Sequence, residues 1–303
     1  MTRIRSTDAG RVEDRRGQGG GGMSFPGFGT GGGGFPMKSG GGLLGLLVIA
    51  AIIFLPRLLN GDGNSTQLAP SDQGQTQSGA SDGACESELE QTLCGANNDA
   101  QDFWTAEYPA AFGKPYEDAV MVFFTGSTST GCGQGSSETG PFYCPADERL
   151  YIDLDFLVQL QDQFGAPGDL ATQYIVAHEL GHHIQNLSGQ NAVVEQATGD
   201  RQRVLGIALE LQADCYAGVW ANDASKRTTA DGQPLIDEGE ISEALNAAAA
   251  VGDDRIQQET QGRVDPETFT HGTAEQREGW FRRGYSTGDP AQCDTFARGV
   301  NLG

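Results

Sequence analysis

The stretch AHELGHHIQ occupies residues 177–185 and holds three of the chain's four histidines. On an α-helix, His178 and His182 lie four residues apart, so both imidazoles project from one face and reach one ion. Glu179 is rotated by about 100° around the helix axis, beside the ion, where it can take a proton from metal-bound water. This His-Glu-x-x-His spacing is typical of zinc proteases. His183 points off the ligand face, and we expect it to pack against the protein.

A core helix with hydrogen-bonded histidines is the simpler alternative for this stretch. The clustering of three histidines in a histidine-poor chain favours a metal site. Gly181 supports the same view, because a glycine inside a helix costs on the order of 1 kcal/mol relative to alanine. We therefore expect another element to approach Gly181 closely.

A catalytic zinc ion needs a third protein ligand and a position left open for water. No further histidine follows at the required spacing, and His271 is far away in sequence, so the third ligand is expected to be a carboxylate. Glu210 and Asp214, in ALELQADCYAG (208–218), lie four apart on one helix face. Glu210 is the predicted ligand, and Asp214 is predicted to accept a hydrogen bond from a metal-binding histidine. Glu195 and Asp200 are weaker alternatives.

The charge of the chain is strongly negative and unevenly distributed. The formal net charge is −22, yet residues 1–59 carry seven basic against three acidic residues. The remainder is therefore very acidic, and we predict no nucleic acid partner, because a basic binding surface is missing.

Composition divides the chain into four segments. Residues 1–42 are rich in glycine and basic residues and are predicted to be a disordered cytoplasmic segment. Residues 43–59 begin with an apolar run and are predicted to be a transmembrane helix in contact with the lipid bilayer. Residues 60–84 form a polar linker. Because the basic side is N-terminal, residues 85–303 should be a domain outside the cytoplasm, in the cell envelope of a single-pass membrane protein.

Residues 85–303 read as an α+β domain, mainly helical with a small sheet. Strands are predicted at 119–126 and 149–154, where apolar and β-branched residues cluster. Helices are predicted at 86–94, 97–112, 155–164, from Asp169 or Thr172 onward, 201–222, 240–250 and 274–284. The strand at 119–125 would bind an extended peptide only if one of its edges were open.

Six cysteines are present, and none forms a C-x-x-C pair. In an exported domain, an even number of cysteines favours disulfides. Local spacing predicts a bond between Cys85 and Cys94 and another between Cys132 and Cys144, the second closing a hairpin rich in glycine and serine. Cys215 either pairs with Cys293 or remains a core thiol.

Several motifs together resemble the bacterial family of "putative neutral zinc metallopeptidases". They are VEDRRG (12–17), FYCPAD, YIDL, HELGHHIQ, ELQADCYAGVW and HGTAEQREGWFRRGY, which are spread over most of the chain. The resemblance implies a membrane-tethered, zincin-like peptidase domain of the thermolysin-like (gluzincin) kind. It implies zinc ligands at His178, His182 and Glu210, with Glu179 as the catalytic acid and base.

The expected function is hydrolysis of a peptide or protein substrate, with one Zn²⁺ per chain and Glu179 acting on a zinc-activated water. His271 is the predicted donor to the oxyanion, and Tyr216 and Tyr285 are alternatives. A zinc-binding, membrane-tethered interaction or chaperone module that cleaves nothing is the competing function. An intact Glu179 favours the peptidase, because a binding module has no use for the base.

Overall fold

The computed structural model describes residues 3–17, 83–164 and 169–297. Its helices are α1 (Glu88–Phe112), α2 (Leu154–Phe164), α3 (Asp169–Ser188), α4 (Gln190–Glu195), α5 (Asp200–Lys226), α6 (Glu238–Ala250), α7 (Asp253–Gln261) and α8 (Ala274–Thr287). Its strands are β1 (Val12–Asp14), β2 (Val120–Phe124), β3 (Ser127–Thr130), β4 (Gly133–Ser136), β5 (Phe142–Cys144) and β6 (Arg149–Asp153). The expected α+β fold, mainly helical with a small sheet, is confirmed.

Four strands form the main sheet in the order β1-β2-β6-β5. β1, β2 and β6 run parallel, and β5 pairs antiparallel with β6. β2 is apolar throughout rather than alternating, because its side chains are buried on both faces of the sheet. Since β2 lies between β1 and β6, the strand predicted at 119–125 has no open edge for a peptide. In the described part of the chain, β5 pairs with β6 alone and forms one border of the sheet.

The N-terminal residues 3–17, which we call the N-terminal arm, belong to this fold. They lie inside the segment predicted to be disordered, and for them that prediction is wrong. β1 adds to the sheet beside β2, and Ile4 and Val12 are buried in the core. The glycine-rich composition of residues 1–42 as a whole therefore does not reveal that Ile4 and Val12 are buried in the core.

Helix α1 is a single helix, whereas the sequence predicted two helices separated near Gly95. A capping box at Ser87 and Glu90 begins α1, and Gly113 in the left-handed conformation ends it. A Cβ atom added at Gly95 would lie 2.6 Å from the Cα of Arg5. Gly95 therefore marks the point where the N-terminal arm crosses α1, and the packing offsets the helical cost of the glycine.

Helices α3, α5 and α8 pack closely because glycines lie at their crossings. A Cβ at Gly181 would lie 2.8 Å from the Cα of Ala213 in α5, which is the close approach expected from the sequence. Gly284 of α8 contacts the backbone carbonyl of Cys215 on the other side of α5. α5 is thus held between two helices, and its position relative to α3 is set by backbone contact.

All six cysteines form disulfides, and the two predicted local pairs are confirmed. They are Cys85–Cys94 and Cys132–Cys144, and the third bond joins Cys215 to Cys293 across 78 residues. The predicted hairpin differs in detail, since β3 pairs with β4 and the disulfide links the turn of this hairpin to the end of β5.

The predicted membrane segment 43–59 and linker residues 60–82 lie outside the described residues. Within the described ranges, no helix combines the length and apolar character that crossing a bilayer demands.

Candidate metal centre and its cleft

Helices α3 and α5 bring the three predicted ligands to one point. The Nε2 atom of His178 lies 3.3 Å from one carboxylate oxygen of Glu210, and the Nε2 of His182 lies 3.6 Å from the other. One donor atom from each residue falls within 4.8 Å of the other two. The four-residue spacing on α3 and the close crossing at Gly181 therefore produce a cluster of two imidazoles and one carboxylate.

The other ring nitrogen of His178 is held by a buried network of charged and polar side chains. Its Nδ1 lies 2.7 Å from Asp214, which also accepts hydrogen bonds from Tyr174 and from two nitrogens of Arg277. Asp214 is completely buried and Arg277 is 3% exposed. With Asp214 as acceptor, Nδ1 carries the proton and Nε2 is left to face Glu210.

His182 is oriented in the same way by a neutral side chain. Its Nδ1 lies 2.9 Å from the amide oxygen of Gln185, one helical turn further along α3. The amide nitrogen of Gln185 donates to the backbone carbonyl of Leu209 and to Gln212 of α5. Both histidines therefore present Nε2 to Glu210, and the same contacts join α3 to α5.

The metal-free cluster is strongly coupled electrostatically. Burial would raise the pKa of Glu210, but the facing histidines, His182 foremost, lower it well below its ordinary value. Burial would also lower the pKa of His178, but Asp214 and Glu210 raise it to about 9. In the metal-free protein, the Nε2 of His178 therefore also carries a proton at neutral pH, and a metal ion that binds Nε2 must displace it.

The cluster opens into a cleft of about 670 Å³. Glu179 lines this cleft beside His178, where helical geometry predicted it. Much of the remaining wall is apolar, including Phe142 of β5 and Ile175 of α3. An ionisable side chain and a candidate metal site thus share one partly apolar cleft.

His271 lines the same cleft, on the loop that precedes α8. Asp253, near the start of α7, builds this loop by accepting backbone N–H bonds from Thr270, His271 and Gly272. A second oxygen of Asp253 lies 3.2 Å from the Nδ1 of His271. Burial would lower the pKa of His271, but Asp253, followed by Glu210, raises it on balance. The ring is therefore suited to donate a hydrogen bond into the cleft.

The remaining candidates from the sequence lie elsewhere. Tyr216 packs edge-on against Trp104, and Tyr285 contacts the main core. Glu195 lines the cleft without joining the metal cluster, and Asp200 is exposed at the start of α5.

His183, predicted to pack, is fully buried behind the cleft. Its Nδ1 lies 2.9 Å from the hydroxyl of Tyr143 and its Nε2 lies 2.7 Å from the carbonyl of Glu117. Burial lowers the pKa of His183, so the ring is neutral. A neutral imidazole with one donor and one acceptor satisfies both contacts, and it ties α3 to β5.

The donor set fits zinc. Two imidazole nitrogens and one carboxylate oxygen converge, each histidine is fixed through its other nitrogen, and the cleft leaves one side open. His178, His182 and Glu210 would hold the ion.

Three contributors to the site were not identified from the sequence. Gln185 follows His182 by three residues on one helix face, a spacing that would have indicated a partner. Arg277 lies 63 residues from Asp214 along the chain, and nothing local in the sequence indicated that they pair. Asp253 begins α7, a helix without a clear apolar period.

Comparison with known proteins agrees with the geometry. The family described as "putative neutral zinc metallopeptidase" matches residues 1–296. The chain is 42% identical over 298 residues to "Uncharacterized protein YpfJ" of Escherichia coli (strain K12), covering 95% of this chain and 96% of that protein. It is 52% identical over 189 residues to "Uncharacterized protein Rv2575" of Mycobacterium tuberculosis (strain ATCC 25618 / H37Rv), covering 60% and 64% of the two chains. No solved structure matches the chain. The chain therefore belongs to the putative neutral zinc metallopeptidase family.

Proposed function

We propose that the protein is a zinc-dependent peptidase that uses Glu179 as its general base. The observation that carries this proposal is the convergence of His178, His182 and Glu210 in a cleft that Glu179 also lines. A purely structural zinc site is normally closed by a fourth protein ligand. The open cleft and the adjacent carboxylate favour catalysis over a silent binding module.

The chain's own residues divide the chemistry between them. Bound zinc would supply Lewis acidity, lowering the pKa of water and polarising a carbonyl. Glu179 takes a proton from the attacking water and returns it to the leaving amine. His271 donates a hydrogen bond to the carbonyl oxygen as that oxygen gains negative charge. Asp214 and Gln185 keep the two metal-binding rings in the orientation that this chemistry needs.

An extended peptide is the substrate that the cleft favours. Phe142 and Tyr143 of β5 line the cleft, and β5 lies at the border of the described sheet. A peptide strand laid along β5 would gain main-chain hydrogen bonds, as in other strand-addition complexes. The apolar wall favours an apolar side chain near the bond to be cleaved.

The domain is proposed to work outside the cytoplasm, attached to a membrane through residues 43–59. Its three disulfides support this, because such bonds persist in oxidising compartments and are rare in the cytoplasm.

The test compares the full chain with its Glu179→Gln variant, which keeps the shape of the side chain but removes the base. Both proteins should bind about one zinc per chain, and the variant should cleave a peptide library at least about 100-fold more slowly. His182→Ala should lose the metal and the activity together. If the wild-type chain binds zinc stoichiometrically and cleaves no peptide, the silent binding module is the correct function.

A further inference from the structure

The N-terminal part of α5 continues the wall of the cleft away from the metal cluster. Arg203, Gly206 and Glu210 all line the cleft, and their spacing of three and four residues places them on one face of the helix. Arg203 comes two helical turns before Glu210, which is about 10 Å along the helix axis. An extended chain covers that distance in about three residues. The wall beside the metal cluster is therefore long enough to hold a short peptide.

Gly206 leaves this wall without a side chain between Arg203 and Glu210. A Cβ atom added at Gly206 would meet no atom of another described element within 4 Å, whereas a Cβ at Gly181 or Gly284 would meet a neighbouring backbone. Packing therefore gives no reason for this glycine, although glycine lowers the stability of a helix. The space above Gly206 is open to the main chain of a substrate, which a side chain at this position would obstruct.

Arg203 is a half-buried cation in the cleft, and its guanidinium has no carboxylate partner among the described residues. Arg277, which lines the same cleft, is bound to Asp214 through two of its nitrogens. Glu195 also lines the cleft, yet it forms no ion pair with Arg203. The chain holds 41 acidic against 19 basic residues, so acids that could neutralise this cation are abundant. A guanidinium left unpaired in the cleft indicates a ligand that brings its own negative charge.

We propose that Arg203 binds a carboxylate of the peptide substrate, about three residues from the bond to be cleaved, while the substrate main chain passes over Gly206. A planar guanidinium donates two parallel hydrogen bonds to a carboxylate, a geometry that lysine does not offer. The carboxylate is either the free C-terminus of the substrate or the side chain of an aspartate or glutamate. This inference rests on the proposed peptidase function and names a part of its substrate.

Peptide binding to the full-length, zinc-loaded Glu179→Gln variant tests this contact without cleavage. The probes are octapeptides with an uncharged fluorophore, prepared in matched pairs: a free or amidated C-terminus, and glutamate or glutamine at one internal position at a time. Fluorescence anisotropy should show that one acid binds about tenfold more tightly than its amide, because hydrogen bonds between charged groups are strong. The pair that shows this preference identifies the source of the carboxylate. Mass spectrometry of the products of the wild-type enzyme then gives its distance from the cleaved bond.

Three variants in the same background separate this contact from the general effect of charge. Arg203→Gln should abolish the preference for the acid, and Arg203→Lys should retain only part of it. Arg201→Gln is the matched control, because Arg201 is exposed on the same turn of α5 and does not line the cleft. This control should keep the preference. If Arg203→Gln keeps it too, or if Arg201→Gln abolishes it, the carboxylate site is refuted.

A side chain introduced at Gly206 tests the path of the substrate. Gly206→Met should lose most of the binding of acidic and neutral peptides alike, without a lower melting temperature, because the open space accepts the side chain. Gly279→Met, which also adds a side chain in open space but outside the cleft lining, should keep the binding. If Gly206→Met binds peptides as tightly as its parent, the proposed path is wrong.

The same measurements distinguish failure of this inference from failure of the proposed function. Peptides that are bound and cleaved without any preference for an acid refute the carboxylate site alone. If no peptide is bound or cleaved, acidic or neutral, the peptidase function is wrong and the inference fails with it.

Discussion

Replacing Asp214 by asparagine removes the negative charge that faces the buried guanidinium of Arg277. Asp214 is completely buried and Arg277 is 3% exposed, so little water can compensate for the loss. Breaking a buried ion pair from one side typically costs about 3–5 kcal/mol, because the other charge is left without a partner. We expect the free energy of unfolding of metal-free Asp214→Asn to fall by that amount.

The same substitution should weaken zinc binding for a different reason. Asp214 holds the Nδ1 proton of His178 at 2.7 Å and makes the ring a better electron donor. Removing such a carboxylate typically costs about 10–100-fold in metal affinity, which is about 1.4–2.8 kcal/mol at about 1.4 kcal/mol per tenfold change.

A double variant, Asp214→Asn with Arg277→Met, separates the two effects. The uncompensated cation is then gone, so most of the lost stability should return, whereas zinc affinity should remain low. Urea unfolding of metal-free protein measures the first quantity, and competition with a chromophoric chelator measures the second. If the double variant binds zinc as tightly as the wild type, or if the single variant is as stable as the wild type, the assigned role of the network is wrong.

The remaining predictions concern the helix crossing, the long disulfide, the metal and the arm. Gly181→Val should destabilise the protein by about 1–3 kcal/mol in urea unfolding, because the added atoms meet the backbone of α5. As a control, Gly279→Ala places a methyl group in open space and should be neutral or up to about 1 kcal/mol stabilising. Replacing Cys215 and Cys293 by alanine opens a 78-residue loop and should lower stability by about 4.5 kcal/mol on the chain-entropy estimate, and an unchanged melting temperature would contradict this. Chelation of the metal should abolish peptide hydrolysis and lower the melting temperature, and added zinc should restore both. Burial would raise the pKa of Glu90 in α1, but hydrogen bonds from the amides of Ser87 and Glu86 and from Arg16 of the arm lower it, so the Arg16–Glu90 pair is complete at pH 6 and weakens as the pH falls below about 4.5. An arm separated from the domain by an engineered protease site after residue 20 should therefore bind less tightly at pH 3 than at pH 6, as measured by gel filtration.

The metal cluster could be predicted from the sequence because its residues form pairs that lie only four positions apart. The spacing of His178 and His182 fixes one helix face, and the spacing of Glu210 and Asp214 fixes another. Gly181 also indicated the crossing of the two helices, because its cost within a helix required a compensating contact. Only the structure could show that these faces of α3 and α5 pack against each other.

The fold of the N-terminal arm could not be predicted because the residues that hold it lie far from it in the sequence. Two apolar residues, Ile4 and Val12, anchor a segment whose average composition resembles that of a disordered chain. Its ionic partners are dozens to more than a hundred residues away, at positions such as Glu90 and Asp169. The sequence predicted two helices, 86–94 and 97–112, in place of α1 for the same reason, since the contact that requires a glycine at position 95 comes from the distant arm.

The close crossing at Gly181 also sets the distance between the two helices that carry the metal ligands. Because α3 and α5 meet through main-chain atoms at Gly181, close contact fixes the distance between the backbones that carry the two imidazoles and Glu210. The packing of α8 at Gly284 and the Cys215–Cys293 bond hold α5 from its other side, so a change in the distance between α3 and α5 would disturb these contacts as well. The spacing of the two ligand-bearing helices is thus a property of the backbone, and residues at the rim of the cleft are free to vary with substrate without moving these helices.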